Sequence, residues 1–112
     1  MKIPFKDVIE AANTSARQLD WWSRHGLIPG QARNPGSGNR RIWTREQIRH
    51  VRALRSVADC EIIGSALRHI ADFLADVDDW SEPLELVMAD HLTVTLDLPA
   101  IDAKVPLFEE VE

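Results

Sequence analysis

The fold is decided by residues 14–44, which read TSARQLDWWSRHGLIPGQARNPGSGNRRIWT. Ser15 and Gln18 have the S-x-x-Q spacing of a capping box, in which side chains satisfy the first amide groups of a helix. Leu19 and Trp22 follow at helical spacing and supply an apolar face for burial. The stretch therefore predicts a helix from Ser15 to about His25.

Glycine dominates the remainder of this stretch, which holds four of the five glycines of the chain. Gly26 is expected to end the helix, and Pro29 prevents its resumption. The composition favours a hairpin or loop, here called the wing, over residues 30–43. Short strands are expected in it near residues 32–33 and 41–43.

Hydrophobic periodicity predicts one helix before this stretch and two after it. The first helix is expected over about residues 4–12. A second capping box, Thr44 with Gln47, opens the third helix. After a break near residues 59–60, an apolar stripe between residues 62 and 74 predicts the fourth.

The C-terminal third is predicted to mix helix and strand. Pro83–Ala89 is interpreted as a short fifth helix, and residues 91–98 alternate apolar and polar side chains as a strand does. Pro99 is expected to begin a short helical tail. Because a lone strand cannot satisfy its own backbone, it needs a partner in the wing, in the tail or in a second subunit.

Charge is divided unequally along the chain. Residues 1–57 carry 11 Lys+Arg and 4 Asp+Glu, a net charge of +7, whereas residues 58–112 carry 2 and 14, a net charge of −12. Such asymmetry indicates that the first half meets a polyanion such as nucleic acid. The alternative is that the two halves attract each other as solvated surfaces.

Composition argues against several function classes. The 112 residues can form one compact domain, and the absence of a signal-peptide pattern or membrane-span run favours a cytoplasmic protein. The single cysteine, Cys60, is interpreted as a small core residue, and the four histidines lack metal-site spacing, so neither metal nor cofactor is expected. No nucleophile elbow, phosphate-cradling glycine motif or catalytic pair appears, which argues against an enzyme.

Residues 5–75 resemble the winged helix-turn-helix DNA-binding domain of the MerR family. In that family the second helix carries S-x-R-x-φ-R-Y-Y, then G-L-φ-x-P follows, and the wing closes on R-φ-Y-[ST]. The matching positions are Ser15, Arg17, Leu19, Trp21-Trp22, Gly26-Leu27-Ile28 and Arg41-Ile42-Trp43-Thr44. Asp20 stands where the family usually has arginine, and tryptophans replace both tyrosines. The run Gly38-Asn39-Arg40-Arg41 is also similar to the G-x-R-R of phage excisionases.

The resemblance implies a mainly α fold with a small β wing. It places a MerR-like DNA-binding domain at residues 1–75 and leaves residues 76–112 as an acidic C-terminal extension of strand and helix. A bacterial or phage-encoded, nucleoid-associated protein is implied, with double-stranded DNA as its partner. Because one winged domain of this size buries little DNA surface, we expect a homodimer on each site. The strand at residues 92–98 is the candidate dimer contact, and packing within its own chain is the alternative.

The second helix is expected to read the major groove. There Arg17 can grip guanine and Gln18 can grip adenine, each through two hydrogen bonds. Ser15 can present its hydroxyl to a phosphate, and Arg24 adds a positive charge to the same helix. Trp21 is interpreted either as a phosphate donor through its indole N–H or as a second packing residue.

The wing arginines, Arg33, Arg40 and Arg41, are expected to enter the minor groove or to lie along phosphates. Arg45 of the third helix is expected to add a phosphate contact. The alternative for each of these residues is a solvated side chain, and for the wing it includes pairing with the acidic half.

The predicted function is sequence-specific binding of double-stranded DNA by a small transcriptional regulator. One alternative is an excisionase-like factor that bends DNA at recombination sites. Another is a protein-interaction module that acts through its acidic half.

Overall fold

Helices and one strand pair make up the parts of the chain that the computed structural model describes, residues 3–31, 42–62, 64–89 and 92–108. The helices are α1 (Phe5–Ala12), α2 (Ala16–Arg24), α3 (Arg45–Asp59), α4 (Ser65–Ala75) and α5 (Leu98–Lys104). The strands are β1 (Leu84–Ala89) and β2 (Leu92–Leu96), which form an antiparallel pair. The protein is therefore mainly helical, as the sequence predicts, and its described sheet is the C-terminal strand pair.

The first two helices meet at a short turn. Asn13 ends α1 in the left-handed conformation at φ 56°, a conformation that asparagine tolerates better than most residues. Ser15 then caps α2, because its hydroxyl accepts a hydrogen bond from the backbone N–H of Gln18 at 3.1 Å. The Gln18 side chain accepts from the Thr14 hydroxyl at 2.9 Å, so only the serine half of the predicted capping box forms.

Helix α3 is the central element of the core and packs against α1, α4 and α5. It opens with the predicted capping box complete, since Thr44 and Gln47 exchange backbone and side-chain hydrogen bonds. Its apolar stripe, Ile48, Val51 and Leu54, is fully buried. Burying each such side chain contributes about 1.5–3 kcal/mol, so this face organises the surrounding helices.

The predicted burial of Trp22 is confirmed, and Trp43 is also buried. Trp22 of α2 and Trp43, just before α3, are 3% and 2% exposed. Both belong to the apolar cluster that also contains Leu19. The wing between them is only partly described: residues 32–41 lie outside the described ranges, and Ile42 and Trp43 are not in a strand.

The predicted fifth helix over Pro83–Ala89 is wrong. Leu84–Ala89 is a strand that pairs with β2, with Leu84 opposite Leu96 and Leu86 opposite Val94. Leu84 and Leu86 lie on the packed face while Glu85 and Val87 are exposed, which is the period-two pattern of a half-buried strand. The predicted strand is confirmed at β2, and β1 is the partner that it needs.

The starts of α4 and α5 show how local geometry sets helix bounds. The apolar stripe predicted α4 from residue 62, but α4 begins at Ser65 because Glu61 and Gly64 have φ values of 63° and 66°, outside the helical region. The predicted helical tail at Pro99 is confirmed in α5, which Asp97 caps by accepting from the Ala100 N–H at 3.1 Å. None of the described helices is long and apolar enough to span a membrane.

His50 is a buried polar residue on α3. Its Nε2 lies 2.8 Å from the carbonyl oxygen of Leu27, so Nε2 carries the proton and donates. Desolvation lowers the pKa of His50 below 6.5, against the smaller opposing effect of this hydrogen bond. The folded protein therefore favours the neutral imidazole, and below pH 6.5 the unfolded chain binds the proton more readily.

We expect acid to destabilise the fold through His50. The contribution of neutral His50 to the free energy of unfolding should be fully present above about pH 6.5. It should fall as the pH drops towards the lowered pKa of the folded state. His50→Gln keeps a donor but cannot titrate, so its urea midpoint should vary less than the parent's between pH 7 and pH 5. His69→Gln, an exposed histidine on α4, is the matched control. Equal pH dependence in the parent and in His50→Gln would contradict this assignment.

Candidate nucleic-acid interface

The outward side of α2 carries the residues that the sequence singles out. Leu19 and Trp22 are buried and fix the inward side, whereas Arg17, Trp21 and Arg24 are exposed. The three exposed residues lie four and three positions apart, so they form one stripe along the helix. We call Ser15, Arg17, Gln18, Trp21 and Arg24 the α2 face.

The start of α2 borders a shallow groove that includes a residue of α3. Ser15, Arg17, Gln18 and Trp21 line this groove together with Arg55. Arg55 was not predicted, because in sequence it is simply one of several polar residues on α3, and its place beside α2 depends on how the helices pack. Its guanidinium pairs with Asp59 at 2.7 Å.

Trp21 lies on the surface, with 53% of its area exposed. Its ring stacks on His25 with centroids 3.8 Å apart, and the His25 Nδ1–H donates to the Trp21 carbonyl at 2.7 Å. Trp21 is therefore not the second core residue that one interpretation expected. The stacking restricts the indole ring to one side of α2.

Arg24 is paired with Asp20 on the same helix. The Arg24 Nε lies 3.0 Å from an Asp20 carboxylate oxygen, and both side chains are more than a third exposed. Such a surface pair contributes little stability, about 0–1 kcal/mol. Its effect is to orient Arg24. Arg17, by contrast, makes no hydrogen bond or ion pair with any residue that the structure describes.

The two ends of the wing are fixed at the start of α3. Gln31 donates through Nε2 to the carbonyl of Ile42 at 3.1 Å and to the Gln47 side-chain oxygen at 2.9 Å. Gln47 in turn donates to the Pro29 carbonyl at 2.9 Å. Residues 31 and 42 are therefore held together. The predicted contacts Arg33, Arg40 and Arg41 belong to the segment between them, outside the described ranges.

Gly30 is required by this network. Its φ of 79° is unfavourable for other residues, and a Cβ at this position would lie 2.8 Å from the Gln47 amide nitrogen. A side chain here would displace the amide that donates to Pro29. The glycine thus permits the close approach of the wing base to α3.

Arg45 holds the C-terminal segment. Its guanidinium donates to the Asp102 carboxylate at 2.8 Å and to the backbone carbonyls of Asp102, Val105 and Pro106 at 3.0, 2.8 and 3.1 Å. These bonds direct the donors into the chain, whereas the sequence prediction directed them towards a phosphate. We therefore leave Arg45 out of the proposed interface.

Asp102 also pairs with Arg49, at 3.1 Å. The hydrogen bond from Arg45 lowers the pKa of the Asp102 carboxyl, partial burial opposes this effect, and Arg49 lowers the pKa further. The Arg49 guanidinium also lies 4.5 Å from the centre of the Trp80 ring, within cation–π range. Part of the opposite charge of the two halves is therefore matched within the chain.

Comparisons of the chain with protein-family models, with curated proteins and with solved structures give no match. Within the described ranges, no cluster of three or more His, Cys, Asp and Glu residues could hold a metal ion.

We expect Gln47 to be the main polar support of the wing base. Gln47→Ala removes its bonds to Gln31, Thr44 and Pro29 and should lower the free energy of unfolding by about 1–3 kcal/mol. Gln18→Ala is the matched control, because it is the same substitution at the same position after a helix cap. Among the described residues its side chain bonds to Thr14, and the loss should be below about 1 kcal/mol. Equal losses of unfolding free energy in urea denaturation would show that the bonds of Gln47 to Gln31 and Pro29 add no stability.

Proposed function

We propose that this protein binds double-stranded DNA sequence-specifically and acts as a small transcriptional regulator. The observation that carries the proposal is the α2 face, a capped helix whose outward stripe exposes Arg17 and Trp21 while Leu19 and Trp22 anchor it to the core. An α-helix fits the major groove of B-DNA. A helix held rigidly from behind keeps its side chains in register with base edges.

The first turn of α2 retains the hydrogen-bonding capacity that base recognition needs. Arg17 has no partner among the described residues, and its guanidinium fork matches the two acceptors of guanine. The Gln18 oxygen accepts from Thr14 but has a second lone pair, and its NH₂ group can donate, so both adenine contacts are feasible. The Ser15 oxygen accepts from the Gln18 N–H, which leaves the hydroxyl proton for a phosphate.

The surroundings of α2 support contacts to the DNA backbone. The exposed Trp21 ring places an indole N–H on the same face, where it can donate to a phosphate as the tyrosines of MerR-like proteins would. Arg33, Arg40 and Arg41 join the proposal on sequence alone. The described residues on either side of their segment, Gln31 and Ile42, are hydrogen-bonded to each other beside α3.

An excisionase-like role is the second candidate. In the described residues the C-terminal part contains a hairpin and the seven-residue α5, and not the long coiled-coil helix by which MerR regulators dimerise. A small winged domain without that helix suits an architectural factor that fills adjacent sites. One promoter palindrome among bound sites favours the regulator, and clustered direct repeats favour the excisionase-like factor.

We expect two arginines to contribute in different ways. Arg17→Ala should cost about 1–3 kcal/mol on a selected duplex, mainly through one base pair. Arg41→Ala should weaken binding to all sequences and reduce the salt dependence by about one phosphate contact. Fluorescence anisotropy over a range of salt concentrations measures both effects. Lys6→Ala, an exposed residue of α1, should leave binding unchanged, and parental affinity in both arginine variants would refute the proposed interface.

We also propose that two copies bind together through the outer face of the hairpin. β2 pairs with β1 within the chain and is therefore not the unpaired strand first expected, so we place the contact on the face where Val87 of β1 is 73% exposed. Val87→Glu should convert a dimer to a monomer in sedimentation experiments, because it buries a charge at an apolar contact. Leu107→Glu is the matched control, since Leu107 is 82% exposed and lies outside the hairpin. A Val87→Glu protein that keeps the parental mass would remove the hairpin from the interface.

A further inference from the structure

A cleft of about 440 Å³ lies between α3, β2 and α5. Its apolar lining includes Val57 of α3, Val94 and Leu96 of β2, and Ile101 of α5. Val57 and Leu96 are buried, whereas Val94 and Ile101 are half-buried. The volume falls within the roughly 300–1,000 Å³ that is typical of small-molecule sites. The proposed DNA contacts involve none of these four residues.

Two cationic side chains border this cleft from different elements. Arg52 of α3 donates through one guanidinium nitrogen to the Ala11 carbonyl at 2.8 Å, which leaves its other donors for a ligand. Lys104 of α5 is exposed and lines the same cleft. The carboxylate of Asp97 also lines it, but accepts from the Ala100 N–H as the cap of α5. The net charge of the lining residues Arg52, Lys104 and Asp97 is therefore +1.

The same two cations border a neighbouring groove that contains Asp7 and Glu10. Within the described ranges no ion pair joins Arg52 or Lys104 to either carboxylate. The cations are therefore close to acidic groups without being neutralised by direct contact. Their charge remains available to a ligand in the cleft.

We propose that the cleft binds a small amphipathic carboxylate. Its hydrocarbon part would pack against Val94, Leu96 and Ile101, and its carboxylate would meet Arg52 and Lys104. An apolar wall with cations at its border selects against neutral apolar molecules, because they leave the charged groups without a partner. It selects against small inorganic anions, because they leave the apolar wall in water.

The position of the cleft connects it to α2. Asn13, which forms the turn before α2, is part of the lining. Ala11, whose carbonyl accepts from Arg52, lies in the same segment of chain. A ligand would therefore touch Asn13, in the turn before α2, and Arg52, which holds the Ala11 carbonyl. An effect on DNA affinity would rest on the proposed function, whereas binding of the carboxylate would not.

Calorimetric titration of the full chain with decanoate tests the proposal. We expect saturable binding of one decanoate per chain, with decan-1-ol bound at least about tenfold more weakly because it lacks the charge. Lys104→Met should weaken decanoate at least about fivefold and leave decan-1-ol unchanged. Lys6→Met removes the same charge from α1 outside the cleft and should bind both compounds as the parent does.

Two further measurements locate the ligand. Cys60, the only cysteine of the chain, is exposed and lines the cleft, so saturating decanoate should slow its alkylation by iodoacetamide. Ser56→Trp on α3 and Ala100→Trp on α5 place a large side chain at exposed lining positions on two elements. Each variant that keeps the parental circular dichroism spectrum should lose decanoate binding.

The proposal is overturned if decanoate does not saturate or if decan-1-ol binds equally well. It is also overturned if decanoate binding persists at parental affinity in the folded tryptophan variants. Each of these outcomes is independent of DNA binding, so the cleft can fail as a ligand site while α2 still binds DNA.

Discussion

The attachment of three separate parts of the chain to α3 is the constraint on which the structure depends. The buried stripe around Leu54 fixes α3 in the core. On its other sides, Arg45 holds the C-terminal segment, and Gln47 accepts from Gln31, whose side chain also donates to Ile42 at the other end of the wing. His50 of α3 donates to the carbonyl of Leu27, just after α2. One helix thus sets the positions of the candidate reading helix, of the wing base and of the acidic half.

The charge asymmetry of the sequence has two different consequences. Some arginines of the positive half are engaged within the chain, as Arg45 and Arg49 are with Asp102, and Arg24 is oriented by Asp20. Because Asp102 lies outside residues 1–57, its pairing with Arg45 and Arg49 means that the net charge of +7 overstates the charge that could meet DNA. In the proposed interface, Arg17 is the positive residue of α2 for which the structure describes no partner. The wing arginines supply the remaining positive charge.

Local signals in the sequence predict the helices well, because caps and apolar periodicity act within a few residues. Ser15, Thr44 and Pro99 each mark a helix start that the structure contains. Leu84–Ala89 was predicted wrongly, because its short apolar run fits either period until β2 pairs with it. Cys60 was predicted in the core and is exposed, and the engagement of Arg45 by Asp102 joins residues 57 positions apart. No local pattern encodes such contacts, whereas the α2 face follows directly from helical spacing.

The central claim is that α2 forms the DNA-binding surface, and backbone amide chemical shifts measured during titration with duplex DNA test it most directly. A duplex obtained by selection from a random pool should shift the amides of residues 15–25 and of the wing segment 32–41 most strongly. The amide chemical shifts of the hairpin, residues 84–96, should change little when one protein chain is present for each half-site of the duplex. A duplex that shifts no amide at low salt, or that shifts only the C-terminal residues, would contradict the account.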